Sequence, residues 1–258
     1  MATSDRNPYA RPTVGAAPVD VGIDQGLRSY MLRVYNYMAL GLVVTGLASL
    51  GTFALAVSAA PTQYALGNGI FLTDFGAALY GSPLRWVVML APLGFILAIS
   101  FGIQRMSLST TQMVFWAFAA VMGVSISSIF LVYTAESIVR VFFITAAAFG
   151  ALSLYGYTTK KDLSGWGSFL FMGLIGIIIA ALVNLFLQSS ALQFAISVIG
   201  VLVFAGLTAY DTQRIKEMYY VGDDGTTAGK KAVMGALSLY LNFINMFLML
   251  LSLFGNRE

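Results

Sequence analysis

The chain of 258 residues is 59% apolar and only 10% charged, whereas a soluble globular domain is about half apolar and a quarter charged. Its 14 Lys and Arg against 11 Asp and Glu leave a mild net charge of +3, which does not indicate nucleic-acid binding. Cysteine and histidine are absent, which excludes disulfides, zinc ribbons, histidine-containing triads and imidazole proton relays. Together with a mean hydropathy of +0.83, this composition predicts a polytopic membrane protein.

Seven apolar runs are long enough to cross a bilayer, which takes about 20 mostly apolar residues. Because lipid offers the backbone no hydrogen-bond partners, each run must form a helix, which predicts an all-α membrane protein. The short link 188–191 leaves one alternative open, a re-entrant hairpin in place of two separate spans. The runs cover residues 36–59, 85–103, 113–134, 138–157, 168–188, 192–215 and 232–254.

The basic residues between the runs predict the orientation, because cytoplasmic loops of membrane proteins carry an excess of lysine and arginine. The side that contains the N-terminus holds eleven of them: Arg6, Arg11, Arg28, Arg33, Arg105, Lys160, Lys161, Arg214, Lys216, Lys230 and Lys231. The other side holds three, Arg85, Arg140 and Arg257. We therefore predict a cytoplasmic N-terminus.

The first 30 residues are polar and contain three of the six prolines. No apolar stretch follows a basic start, so the pattern does not predict a cleavable signal peptide. We predict a disordered cytoplasmic tail over residues 1–30 and one transmembrane domain over 31–258.

Asp211 is the main candidate for a functional residue, because ionisable groups inside apolar runs are costly and are retained for function. It lies near the end of the sixth run, about one helical turn from the predicted inner interface. The alternative is a role without function, in which the carboxylate lies near the lipid headgroups and pairs with Arg214 or Lys216. Arg105 ends the second run, where it can either reach the headgroups or pair with Asp211.

Three of the asparagines within the runs are further candidates. Asn242 and Asn245 are three residues apart in the last run and share a helix face, and Asn184 lies in the fifth run. Amides buried in lipid commonly bond across helices and contribute about 0.6 to 2 kcal/mol each. A structural role is therefore favoured for Asn184 and Asn245.

Three segments resemble the Bax inhibitor-1 family, the transmembrane proteins that carry the Bax-inhibitor motif. They are residues 159–164 (TKKDLS), 209–215 (AYDTQRI) and 236–245 (ALSLYLNFIN). Because the three segments occur in this order among seven predicted spans, the chain resembles a bacterial member of the family. The resemblance implies that the seven runs form a bundle of six helices packed around an apolar central one. It also implies a passive, pH-sensitive calcium leak across the membrane.

In the family pattern, two aspartates on the last two spans share a proton at an inner gate, and a basic residue near the end of the second span latches to the first. Asp211 matches the first aspartate and Arg105 the latch. The second position holds Asn242, where the family has aspartate. Because an amide cannot ionise, proton sensing near neutral pH and calcium affinity are expected to be weaker.

Our leading hypothesis is a slow cation leak through the inner membrane, with calcium as the favoured ion and no resident cofactor. Asp211 would hold calcium transiently, Asn242 and Asn245 would supply neutral oxygens, and Arg105 would close the path. The alternative is a non-conducting regulator whose tail binds other membrane proteins, such as a quality-control protease. An enzyme is not predicted, since no nucleophile with a neighbouring base can be named.

Overall fold

The computed structural model of the chain describes residues 19–67, 69–102 and 105–257. Seven of its helices are long and apolar enough to cross a membrane, which confirms the predicted all-α fold. The helices are α1 Val19–Ala56, α2 Asp74–Gly76, α3 Leu84–Gly102, α4 Leu108–Ile126, α5 Ala135–Thr158, α6 Ser164–Leu187, α7 Ser190–Glu217 and α8 Gly225–Phe254. The short helix α2 is followed by a π-helical turn, Ala77–Gly81, and α4 by a 3-10 turn, Ser127–Leu131.

The bundle has two ends, which we call the N-terminal face and the C-terminal face. The N-terminal face comprises the beginning of α1 and the connections at 105–107, 159–163 and 218–224. The C-terminal face comprises residues 57–67 and 69–83, the connection 127–134, the turn 188–189 and the segment 255–257. The connection 127–134 and the segment 255–257 meet directly at this end, where the Thr134 amide donates to the carbonyl of Asn256 at 3.1 Å.

Helix α8 lies at the centre of the bundle. In the most apolar stretch of α8, 56% of the residues are buried, the largest share among the seven spans. The helix packs against α1, α4, α5 and α7. Tyr240 of α8 is fully buried and its hydroxyl lies 2.6 Å from Thr45 Oγ1 of α1. Helix α3 packs mainly on α4 and helix α6 mainly on α7, so these two lie at the periphery.

Single glycines allow two helix pairs to approach closely. A Cβ atom at Gly123 of α4 would overlap the Thr45 carbonyl of α1, and one at Gly156 of α5 would overlap the Ala209 carbonyl of α7. Small residues at such crossings let the backbones of membrane helices come together. The crossing at Gly156 fixes α5 against the turn of α7 that carries Asp211.

Helix α1 begins at Val19, inside the segment 1–30 that was predicted to be a disordered tail. Tyr30 is buried, and its ring centroid lies 5.7 Å from that of Tyr219 in the connection between α7 and α8. This tertiary packing holds the polar start of the helix in place, which composition alone did not indicate. Residues 1–18 lie outside the described residues, and the prediction for them stays a prediction.

The link between α6 and α7 is a tight turn between two full-length helices of 24 and 28 residues, which removes the re-entrant alternative. Gln188 adopts a left-handed conformation with φ +48° and ends α6. Ser189 caps α7 by accepting a hydrogen bond from the Leu192 amide, and its own amide donates to Asn184 Oδ1 at 3.0 Å.

A small antiparallel sheet covers the C-terminal face between α1 and α3, where the sequence indicated only a loop. Strand β3 (Ile70–Leu72) lies between β1 (Val57–Ser58) and β2 (Ala65–Gly67). Thr73 then caps α2 by accepting from the Gly76 amide at 3.1 Å. The strands are two to three residues long, too short for hydrophobic alternation to reveal them.

Candidate functional site

Asp211 and Asn242 meet where α7 packs against the central helix. The Asn242 Nδ2 group donates a hydrogen bond to Asp211 Oδ2 at 2.7 Å, an arrangement required by the chemistry because an ionised carboxylate can only accept. Asn242 is only 5% exposed, whereas Asp211 is half-buried. Asp211 lies six residues before the end of α7 at Glu217, which places it about 9 Å inside the helix end.

The carboxylate of Asp211 has a neutral partner and no basic one. Within the described part of the chain, one ion pair forms, between Lys231 Nζ and Asp223 Oδ2 at 2.6 Å. That pair lies at the N-terminal face, and Lys231 also donates to the Met218 carbonyl there. Among the described residues, the Asp211 carboxylate is therefore hydrogen-bonded to a neutral amide and forms no ion pair.

Asn245 shares a helix with Asn242 but does not reach Asp211. Its Nδ2 group donates to the Leu241 carbonyl at 2.8 Å, one turn earlier in α8. The donor is thus satisfied within its own helix. Asn245 and Asn242 still present two amide side chains along the same face of α8, as their spacing predicts.

Arg105 does not pair with Asp211 in this structure. Arg105 is exposed in the turn after α3, where its backbone amide donates to the Gly102 carbonyl. Helix α3 packs on α4 at the periphery, so the end of α3 is not carried to α7. The spacing of residues along the sequence could not reveal that Arg105 and Asp211 lie apart, because the spacing does not determine how the helices are arranged around α8.

A second polar network joins α6, α7 and α8 near the C-terminal face. Asn184 Nδ2 donates to Gln193 Oε1 at 3.2 Å, the cross-helix bond expected of a structural amide. Gln193 Nε2 lies 3.4 Å from Ser197 Oγ, and Ser197 Oγ donates to Ser252 Oγ at 3.1 Å. The sequence analysis missed Gln193 and Ser197, although their spacing of four residues on one helix face was the available signal.

Gln213, which the sequence analysis did not single out, ties two of the three family-like segments together. Its Nε2 group donates to the Lys161 carbonyl and its Oε1 accepts from the Leu163 amide, both at 2.8 Å. In the same connection, hydrogen bonds from Ser164 hold the pKa of the exposed Asp162 below its usual value. The segment after α5 is thereby fixed against α7 close to Asp211.

No cluster of three His, Cys, Asp or Glu side chains that could hold a metal ion occurs in residues 19–67, 69–102 and 105–257. Oxygen groups near Asp211 are its own carboxylate and the amide of Asn242. Both are of the type that a hard cation such as Ca²⁺ prefers.

Comparison with known proteins gives one family and several bacterial relatives. The family model described as "Inhibitor of apoptosis-promoting Bax1" matches residues 27–258. The uncharacterized protein RP147 of Rickettsia prowazekii is 50% identical over 91% of this chain and 92% of its own length. An uncharacterized protein of Caulobacter vibrioides is 48% identical over 97% of both chains. The inner membrane protein YbhL of Escherichia coli K12 is 47% identical over 90% of this chain and 94% of its own.

Proposed function

The chain belongs to the Bax inhibitor-1 family of multi-pass membrane proteins, and we propose that it provides a slow, passive path for calcium across the bacterial inner membrane. The relationship to the E. coli inner membrane protein supports this location. The eleven basic residues of the N-terminal side against three on the other support a cytoplasmic N-terminal face.

The contact between Asp211 and Asn242 carries the proposal. An acid within a membrane span is costly and is therefore a candidate functional group, and this one lies against the central helix with a neutral partner at 2.7 Å. A cation that reaches this point meets a full negative charge and amide oxygens. Calcium gathers six to eight such oxygens, several of them from water, so a single carboxylate suits brief contact during passage.

In this proposal Asn242 is the group that keeps the path closed. Its N–H donor occupies Asp211 Oδ2, so a cation that binds both carboxylate oxygens must displace this hydrogen bond. A hydrogen bond to a charged group contributes about 1.5–3 kcal/mol, which makes the leak slow. Once the amide has turned, its oxygen and that of Asn245 provide the next neutral ligands along α8.

Calcium flux into proteoliposomes loaded with an indicator dye tests the proposal. Asp211→Asn keeps the size and polarity of the side chain and removes its charge, so we expect flux to fall about tenfold, equivalent to about 1.4 kcal/mol of lost cation binding. Asp162→Asn is the matched control, because it removes one exposed carboxylate from the same face and should leave flux unchanged. Equal flux for Asp211→Asn and wild type would refute the proposal.

Proton dependence provides a second test. Two carboxylates in contact cannot both be ionised and therefore share a proton, whereas the amide of Asn242 has no proton to exchange. We expect the ratio of flux at pH 6 to that at pH 8 to stay near one in wild type and to change severalfold in Asn242→Asp.

Asn184→Asp is the control for that experiment, because it adds a carboxylate to α6, in the neutral network away from Asp211. A pH response in Asn184→Asp as large as in Asn242→Asp would show that the position of the new charge is irrelevant, against the proposal. If neither wild type nor Asn242→Asp conducts calcium although both are folded, the non-conducting regulator becomes the better hypothesis. The tail on which that hypothesis rests falls largely on residues 1–18, outside the described residues.

A further inference from the structure

A long apolar groove separates α1 from α5 on the outside of the bundle. The two helices do not pack closely against each other: α1 packs mainly on α4 and α8, and α5 on α7 and α8. The groove has a volume of about 640 Å³. Its walls are formed by residues between Arg28 and Ala39 of α1 and between Phe149 and Tyr157 of α5. Apart from one arginine and three hydroxyl groups, the lining is apolar.

The floor of the groove is closed by a hydrogen bond between its two walls. Tyr35 Oη of α1 lies 2.6 Å from Ser153 Oγ of α5, and Ser153 Oγ lies 3.0 Å from Thr212 Oγ1 of α7. The polar groups at the floor are therefore satisfied by the protein. The remaining space is suited to hydrocarbon and not to water, since water needs two to four polar partners.

The mouth of the groove, by contrast, is positively charged. Arg28 lines it at the N-terminal face and forms no ion pair with a described side chain. Lys216 lies at the same end, where its Nζ donates to the Tyr157 carbonyl at 2.9 Å and stands over the Tyr157 ring. No acidic residue lines the groove.

The length of the groove matches one leaflet of a bilayer. From Arg28 to Ala39, α1 rises about 17 Å at 1.5 Å per residue. One leaflet contributes about 15 Å of hydrocarbon. A chain that begins at the charged mouth therefore ends near the middle of the membrane.

We propose that this groove is a binding site for an anionic phospholipid, with one acyl chain between α1 and α5 and the phosphate beside Arg28. The cationic mouth selects the negative headgroup, and the apolar walls receive the chain. Lipid binding is measured without any flux, so a test of this site does not depend on the proposed ion path.

Native mass spectrometry of the full-length protein with equimolar phosphatidylglycerol and phosphatidylcholine tests the site. We expect wild type to retain phosphatidylglycerol about fivefold more strongly, the preference that one membrane-surface cation provides. Arg28→Gln should remove this preference. Arg33→Gln makes the same change five residues further along α1, away from the groove lining, and should keep it.

Filling the groove is the second arm of the experiment. A Cβ atom at Gly150 meets open space and Gly150 lines the groove, so Gly150→Leu should fold and lose the bound phosphatidylglycerol. Gly176→Leu, at an equally open and exposed position of α6, should retain it.

Three results would overturn the proposal. Equal retention of the two lipids by wild type would indicate ordinary boundary lipid. Loss of the preference in Arg33→Gln as much as in Arg28→Gln would indicate general surface charge. Unchanged binding in Gly150→Leu would show that the acyl chain lies elsewhere.

Discussion

Helix α7 carries a polar network at each of its two ends, and the two networks differ in one respect. Near the C-terminal face, Gln193 and Ser197 bond to neutral groups of α6 and α8. Toward the N-terminal face, Asp211 bonds to a single amide of α8. The first network consists of neutral donors and acceptors, whereas the second contains an ionisable group with no basic partner.

This difference separates a structural role from a functional one. Neutral hydrogen bonds between membrane helices specify how the helices pack and contribute modestly to stability. A carboxylate in the same environment is costly, and its presence calls for a function. Polarity within a span is therefore not enough to identify a site, and the charge must be considered with its partner.

The largest effect on stability is expected when the charged network loses its donor. Asn242→Leu leaves Asp211 without this hydrogen bond, and we expect the free energy of unfolding to fall by about 1.5–3 kcal/mol, the contribution of a hydrogen bond to a charged group. Unfolding in mixed micelles by denaturing detergent measures this. Asn245→Leu, which breaks a bond to its own helix only, should cost clearly less.

The double variant Asp211→Leu/Asn242→Leu sharpens that experiment. Replacing both partners removes the unpaired carboxylate, so most of the lost stability should return. If Asn242→Leu costs no more than Asn245→Leu, the contact with Asp211 is not a determinant of stability.

A smaller effect is expected in the neutral network. Ser197 is fully buried, and Ser197→Ala should cost about 1 kcal/mol in the same unfolding experiment while calcium flux stays at the wild-type level. Ser168→Ala, at an exposed position of α6, should change neither quantity. A large loss of flux in Ser197→Ala would contradict the division between the two ends of α7.

The smallest effect is expected outside the membrane, at the cap of the central helix. Hydrogen bonds from Thr227 hold the pKa of Asp224 below its usual value, which means that folding favours the charged form. The stabilisation by Asp224 is then complete above the usual aspartate pKa of about 3.9 and is lost as the pH falls through the lower native value.

We therefore expect Asp224→Ala to be less thermostable than wild type at pH 6, with the difference closing as the pH falls below the usual aspartate pKa of about 3.9. Asp224→Asn retains a capping side chain without the charge, so its stability relative to Asp224→Ala should not depend on pH. A difference between wild type and Asp224→Ala that stays constant down to the lowest pH would show that the carboxylate charge is not involved.

Much of the fold was predictable because a bilayer imposes simple rules on a sequence. The seven spans and their order were predicted from apolar length, and the short turn at Gln188 fits between two of them. The start of α1 was not predicted, because Tyr30 is held by a ring from a distant connection. Neither were the strands at the C-terminal face, whose stability depends on pairing and not on pattern.

The candidate site shows the same division. Asp211 and Asn242 were identifiable as costly groups within apolar runs, and the structure brings them together. Arg105 was expected beside them and lies apart, because α3 packs on α4 and not on α7. Gln213 was overlooked since its importance comes from the connection it holds, 50 to 52 residues earlier in the chain.

The sequence by itself determined the membrane class, the number of spans, the family and the residues that are out of place in lipid, because each of these follows from local composition. Only the tertiary structure decided which polar groups are partners. That choice depends on the rotation and depth of each helix, which are set by close crossings such as Gly156 on Ala209. Such crossings join residues far apart in the chain, and no pattern within a single span contains them.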